Sequence, residues 1–174
     1  NYQILNNSID TEIYRFNCES RKRIRQQYEI DNNCICIGHV GKIYQPKNHK
    51  FLIDIFKDYH SFVKNSKLLL VGDGIMREDI ELYVEELSIS DSVIFAGMKP
   101  NVNEYLSAFD IFVFPSLWEG MPLSVLEAQA SGLPCIISNA IDTDVIATNI
   151  VTMLPLDEGT KAWVERLPEK IEYN

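Results

Sequence analysis

The chain has 174 residues, of which 46% are hydrophobic and 24% are charged. This length suits one domain with a sizeable core, and the composition excludes an intrinsically disordered chain. The formal net charge of −9 excludes a nucleic-acid-binding surface, because a phosphate backbone requires a basic face. No uncharged apolar run approaches the roughly 20 residues of a membrane-spanning helix. An anionic ligand would therefore be held by a few local charges and helix ends.

Hydrophobic periodicity predicts strands that alternate with helices along most of the chain. The predicted strands are 34–40, 67–71, 92–95, 111–114, 134–138 and 150–153. The predicted helices lie between them at 51–63, 76–87, 101–109 and 122–130, with a last helix from residue 160 onward. Such alternation predicts an α/β fold, a Rossmann-like open parallel β-sheet with helices on both faces. We expect residues 1–174 to form one domain, in which residues 1–33 are a lead-in strand and helix.

Several side chains have a structural interpretation and a functional one. We favour the structural interpretation for the aromatic side chains, which we expect in the core: Phe51, Phe56, Tyr59, Phe62 and Trp163. We also expect the cysteines to be buried free thiols, as in a reducing compartment: Cys18, Cys34, Cys36 and Cys135. We expect Trp118 to pack beside a site and His49 to be a capping or surface residue. His39 is either structural, at a strand end, or a neighbour of the site. Asp142 and Asp144 spell a metal-binding Asp-x-Asp, but we expect a solvated turn there.

Six of the eight glycines are predicted to follow the carboxyl ends of strands: Gly38, Gly41, Gly72, Gly74, Gly97 and Gly120. Strand-to-helix turns often need glycine, which is the structural interpretation. In open parallel sheets, however, ligands bind in the crevice outside these strand ends. Because glycine doublets follow two of the strands, the pattern favours a ligand-binding edge.

Residues 116–127 contain the most informative pattern. Pro122 suits the first position of a helix, so the free N–H groups of Leu123 and Ser124 would form an anion site at the sheet edge. Glu119 precedes this helix, and Glu127 lies about 7 Å deeper along its axis. Two carboxylates so placed could bind both ends of an elongated polar ligand. The alternative is that neither has a role, although apolar neighbours make an idle carboxylate costly at Glu127.

Five motifs resemble those of family-4 retaining glycosyltransferases, in the order in which that family carries them. The resemblance covers about residues 5 to 155. The motifs are Asn6-Asn7-Ser8-Ile9-Asp10, similar to the interdomain hinge; Gly41-Lys42 with Lys47, similar to the phosphate-binding stretch; Val71-Gly72-Asp73-Gly74; Val93-Ile94-Phe95-Ala96-Gly97; and Glu119-x7-Glu127 within Pro-Ser-Leu-Trp-Glu-Gly-Met-Pro. In two places the chain departs from the pattern: Ser8 stands where the family has Gly, and Lys42 where it usually has Arg. Lysine cannot make the planar bidentate contact of arginine with phosphate.

The resemblance implies the C-terminal, donor-binding half of a two-domain enzyme of the GT-B fold. By resemblance, Glu119, Lys42 and Lys47 are the catalytic residues: Glu119 contacts the donor sugar and the lysines neutralise the diphosphate. Glu127 would bind the ribose. The other donor-binding residues implied are Gly41, Gly72, Gly74, Met98, Gly120, Met121, Pro122, Leu123 and Ser124. No metal or other cofactor is expected, because fixed cations and a helix N-terminus can stabilise the leaving diphosphate.

The implied function is transfer of a hexose, with retention, from a nucleotide sugar that we expect to be a UDP-sugar. The acceptor would be a saccharide or a lipid-linked saccharide of bacterial surface-polysaccharide synthesis. The acceptor would be bound through the absent N-terminal domain. The enzyme would be located in the cytoplasm or peripherally at the inner membrane face. This half alone should bind donor weakly and be inactive. The alternatives are a degenerate, non-catalytic nucleotide-sugar-binding regulator and a nucleotide-sugar epimerase of the same architecture.

Overall fold

The computed structural model describes residues 8–169, in which six parallel strands form one sheet. The strands are β1 (Ile35–Val40), β2 (Ser66–Val71), β3 (Val93–Gly97), β4 (Ile111–Phe114), β5 (Cys135–Ser138) and β6 (Val151–Leu154). Their order across the sheet is β3-β2-β1-β4-β5-β6. The chain moves outward from β1 to β3 and then returns to the other side of β1. This reversal confirms the predicted Rossmann-like fold and opens a crevice between the ends of β1 and β4.

In the described part of the chain, six α-helices cover the two faces of the sheet: α1 (Cys18–Gln27), α2 (His49–Phe62), α3 (Arg77–Glu86), α4 (Val102–Ala108), α5 (Leu123–Ala130) and α6 (Gly159–Val164). Alternate strand residues enter two separate cores, so that Phe112 packs with α4 and α5 while Val113 packs with α2 and α6. Burial on both faces explains why the central strands read as continuous apolar runs. No helix within residues 8–169 is long and apolar enough to cross a membrane.

Buried charges fix α1 to the sheet. Asp110, just before β4, accepts from Arg21 Nη2 at 2.6 Å and from Arg25 Nη1 at 3.2 Å. Its Oδ2 also accepts from the backbone N–H of Cys36 at 2.7 Å. Arg25 is only 2% exposed, and its guanidinium also donates to the carbonyl of Asp31. The basic cluster of residues 21–25 is therefore partly an internal anchor for the helix that precedes β1.

Residues 8–17 form turns and irregular chain, and the rest of the segment in which a lead-in strand was expected before α1 lies outside the described residues. The structure corrects three other expectations. Gly38 lies inside β1, where a Cβ atom would come within 1.9 Å of the Phe109 ring, so packing is the reason for glycine there. Phe62 is 80% exposed because it is the last residue of α2, where the short α6 does not cover it. Cys18 is exposed, whereas the other three cysteines are buried free thiols. The predicted hinge motif, residues 6–10, lies partly outside the described residues.

Candidate functional site

Three loops meet at the carboxyl edge of the sheet, and hydrogen bonds join them. They are residues 41–48 after β1, 72–76 after β2 and 115–122 after β4. Leu117 N donates to the carbonyl of Pro46 at 2.8 Å, and Ile43 N donates to that of Asp73 at 3.0 Å. The backbone of each loop is therefore held by its neighbour. The three predicted motifs that contain Lys47, Gly72 and Glu119 come together on this edge.

Lys47 and Glu119 form an ion pair across the crevice between β1 and β4. Lys47 Nζ lies 2.7 Å from Glu119 Oε1, and the two side chains are only 11% and 16% exposed. The ammonium also lies 4.4 Å from the centroid of the Phe114 ring. Two residues predicted to be catalytic are thus in contact, at the point of the sheet where α/β proteins bind ligands.

An open cleft of about 680 Å³ lies on the same edge of the sheet, between the loops that follow β1, β2 and β3. It is lined by Lys42, Gly72, Gly74 and Met98, which the sequence predicted, and by Asp73 and Ile75. Ile75 and Met98 are 88% and 79% exposed, so both present apolar surface to the cleft. Ile75 was not predicted from the sequence, although its position directly after the Gly72-Asp73-Gly74 turn could have indicated that it lines the cleft.

The glycines of the β2 loop are needed for contact between backbones. Gly72 has φ +141°, and a Cβ atom there would lie 1.9 Å from the carbonyl oxygen of Gly41. A Cβ atom on Gly74 would lie 2.1 Å from the carbonyl oxygen of Ile43. Contact between backbones is therefore one reason for glycine at both positions, and both glycines also line the cleft. Gly120 differs, because a Cβ atom there would meet nothing within 4 Å.

Helix α5 begins one residue later than predicted. Pro122 is its N-cap, with an extended ψ of 114°, and Val125 N donates to the Pro122 carbonyl at 3.1 Å. Proline favours the first helical position, but its fixed φ is equally compatible with an extended cap. Leu123 and Ser124 are then the first two helical residues, whose N–H groups precede the intrahelical ladder. Met121 is partly buried against the core below them.

Glu127 is the fifth residue of α5 and has a protein partner. The Tyr14 hydroxyl donates to Glu127 Oε1 at 2.8 Å, and both side chains are partly buried. Burial, followed by the hydrogen bond to this carboxylate and its charge, raises the pKa of Tyr14 to about 12. Nothing in the sequence could have paired residues 113 positions apart, so Tyr14 was missed.

Two histidines lie beneath the loop that follows β1. His39 is fully buried, its Nδ1 lies 2.9 Å from the carbonyl oxygen of Val113, and its ring centroid is 4.8 Å from that of His49. Burial holds the pKa of His39 well below its usual value and lowers that of His49 to about 4. His49 is 3% exposed, so the expectation of a capping or surface residue was wrong. Its spacing from Leu52 and Ile53 on α2 could have placed it on the buried face.

Two further expectations concern the rim of the site and the acidic loop. Trp118 is 55% exposed, so it is not the packed residue expected from the sequence. Residues 142–144 form an exposed turn in which Asp142 Oδ1 accepts from Asp144 N at 3.0 Å. Within residues 8–169, no group of three or more histidine, cysteine, aspartate or glutamate side chains is placed to hold a metal ion.

The strand order, the crevice and the joined loops define a Rossmann-like α/β domain with a candidate binding edge at the carboxyl ends of β1, β2 and β4. The chain belongs to the family described as glycosyl transferases group 1, which matches its residues 20–167. The predicted membership of a glycosyltransferase family of the GT-B fold is thereby confirmed.

Named relatives agree with this assignment. The glycosyltransferase EpsF of Bacillus subtilis is 36% identical over 165 residues, which are 94% of this chain and 43% of EpsF. The Escherichia coli UDP-Gal:alpha-D-GlcNAc-diphosphoundecaprenol alpha-1,3-galactosyltransferase is 29% identical over 82% of this chain and 39% of its own length. In structure, Anabaena HepE in complex with UDP-glucose superposes with a TM-score of 0.80 at 19% identity, covering 94% of this chain and 46% of HepE. The chain thus spans less than half the length of these relatives.

Proposed function

We propose that the chain is the donor-binding half of a retaining glycosyltransferase that uses a UDP-sugar. The observation that carries the proposal is the Lys47–Glu119 ion pair, which lies on the same edge of the sheet as the open cleft. Because neither charge is well exposed, a ligand that enters between them must compensate both. It must supply an anion for Lys47 and hydroxyl donors for Glu119. A nucleoside diphosphate sugar carries both groups, with the diphosphate next to the sugar.

The remaining residues divide between the parts of such a donor. The base would lie in the cleft between Ile75 and Met98, whose exposed apolar side chains suit a flat ring. The diphosphate would accept from Lys42, Lys47 and the first N–H groups of α5, where the helix dipole favours negative charge. Glu127 would accept from the ribose hydroxyls.

The chemistry proposed is cleavage of the sugar–phosphate bond with retention at the anomeric carbon. Negative charge that develops on the departing diphosphate would be stabilised by fixed cations and backbone donors that are already in position. The proposal includes no catalytic metal ion, since Lys42, Lys47 and the α5 N-terminus supply positive charge. Glu119 would hold the hexose by its hydroxyl groups during transfer.

Relatives guide the choice of donor and acceptor. HepE binds UDP-glucose, and the named Escherichia coli relative uses UDP-Gal and a diphosphoundecaprenol-linked sugar. We therefore propose a UDP-hexose as donor and a saccharide or lipid-linked saccharide as acceptor, in polysaccharide biosynthesis at the cytoplasmic membrane face. The acceptor would be bound by a second domain outside these 174 residues, for which proteins as long as the named relatives have room.

The test is thermal unfolding of the 174-residue chain with UDP, GDP, ADP and their common sugar conjugates. At a ligand concentration 100-fold above Kd, binding adds about 2.7 kcal/mol, which raises Tm by about 5 to 10 °C at this size. We expect this rise with UDP and UDP-hexoses. It should be much smaller in Glu127→Ala and retained in Glu85→Ala, an exposed glutamate on α3.

Two results would contradict the proposal. A rise with GDP or ADP and none with UDP would refute the assigned base. The absence of any rise at millimolar concentration would refute donor binding by this chain.

A further inference from the structure

A short segment before α1 is attached to α4 on both sides of Tyr14. We call residues 10–17 the strap. Within it, the carbonyl of Ile13 accepts from Asn103 Nδ2 at 3.1 Å, and the backbone N–H of Asn17 donates to Ser107 Oγ at 3.1 Å. Tyr14 lies between these two attachments, so its backbone position is fixed by α4 while its hydroxyl reaches α5.

Side-chain hydrogen bonds also hold the two ends of the strap. The Asn17 side chain is the N-cap of α1 and accepts from Ser20 N at 2.8 Å. Asp10 Oδ1 accepts from Glu12 N at 3.0 Å within a turn at the other end. The Tyr14 ring is partly buried against the core that lies under α4 and α5. These contacts hold the phenol in one place beside Glu127.

We propose that Tyr14 is a positioning residue that sets the ribose-binding geometry of Glu127; this inference rests on the proposed function. A free glutamate side chain loses rotamer entropy when a ligand orders it, and this loss opposes binding. The Tyr14 hydroxyl bonds Oε1 before ligand arrives and so orders the carboxylate in advance. Oε2 remains for the ribose hydroxyls. Tyr14 thereby increases nucleotide affinity without contacting the nucleotide.

The chain offers a matched control for the hydroxyl. Tyr83 on α3 also donates to a carboxylate, Asp54 Oδ1, at 2.5 Å, between α2 and α3. Phenylalanine removes the same group at both positions and keeps the ring. We expect Tyr14→Phe to weaken UDP binding about tenfold, because the ligand must then order the Glu127 side chain itself, and Tyr83→Phe to leave binding within about twofold. Calorimetric titration of the 174-residue chain with UDP measures both.

Two further measurements separate positioning from a general structural effect. With 2′,3′-dideoxy-UDP as probe, Tyr14→Phe should bind as tightly as the unaltered chain, because the hydroxyls that Glu127 contacts are absent. In the Glu127→Ala background, Tyr14→Phe should cause no additional loss, since Tyr14 acts through that carboxylate. An equal loss with UDP and the dideoxy probe would overturn the inference, as would an additional loss in the double variant.

The outcomes distinguish this inference from the proposed function. If UDP binds, Glu127→Ala weakens it and Tyr14→Phe behaves like Tyr83→Phe, then the role of Tyr14 is refuted and the proposed function stands. If the unaltered chain does not bind UDP, or Glu127→Ala binds it equally well, then the ribose site fails and the inference fails with it.

Discussion

Buried histidines beside a lysine are the feature of this site that responds to acid. His39 and His49 are both under 5% exposed, and Lys47 lies close enough to contribute, after burial, to the lowered pKa of each. Both rings are therefore neutral in the folded protein near pH 7. Protonation of either would bury a positive charge beside an existing one, which the low-dielectric interior disfavours.

The free energy of unfolding should consequently fall as the pH is lowered from about 6.5 to 4. In this range an unfolded histidine binds a proton that folded His49, with a pKa of about 4, does not, so stability rises with pH. The contribution of His49 amounts to about 3 kcal/mol. We expect His49→Leu to reduce the loss of stability on acidification, as measured by urea unfolding at pH 4 and pH 7.

His60 provides the comparison for this acid effect. It is only partly buried and lies 2.8 Å from Ser66 Oγ through Nδ1, away from the site. His60→Leu should change the acid sensitivity less than His49→Leu does. Equal effects of the two replacements would show that burial of His49 does not cause the loss of stability at low pH.

At the scale of secondary-structure elements, strands and helices were predictable where the hydrophobic pattern along the chain identifies them. The strand over Ile111–Phe114 was predicted at its observed bounds, and the other strands and helices within a few residues. These elements follow from hydrophobic period alone. The start of α5 was displaced by one residue because Pro122 can occupy either of two adjacent positions. The strand expected before α1 is absent from residues 8–17, where the chain is held by side chains of α4 instead.

The docking of α1 depends on one buried carboxylate. Asp110 is 7% exposed and balances both Arg21 and Arg25, so its removal leaves buried guanidinium charge uncompensated. We expect Asp110→Ala to lower the free energy of unfolding by about 3 to 5 kcal/mol. Asp157→Ala, at an exposed turn, should change it by less than about 0.5 kcal/mol. Chemical denaturation compares the two, and similar small losses would contradict the anchoring role.

At the scale of the whole molecule, the carboxyl edge of the sheet is open to solvent over the cleft and the α5 N-terminus. Within residues 8–169, nothing covers Ile75, Met98 or Trp118, which are all more than half exposed. Sugar transfer needs an acceptor held in position and water kept away from the reacting carbon. The relatives named above are more than twice the length of this chain.

We therefore expect the 174-residue chain to bind UDP-hexose without transferring the sugar. Incubation with UDP-glucose or UDP-galactose and saccharide or lipid-linked acceptors should release no UDP above the rate without protein. UDP release detected by a coupled assay measures this, with a titration of UDP on the same sample as proof that the site is intact. Repeated turnover by this chain would contradict the division of the proposed enzyme into two halves.

The sequence by itself determined the fold class and the candidate edge of the sheet for ligand binding, because both follow from local patterns. Hydrophobic period identifies strands and helices, and the loops after them carry the glycines, Lys47 and Glu119. Only the tertiary structure decided which side chains meet. The Lys47–Glu119 pair, the Tyr14–Glu127 hydrogen bond and the burial of His39 against His49 join residues from different elements. Such contacts depend on how the elements pack in three dimensions, and the spacing of residues along the chain does not encode them directly.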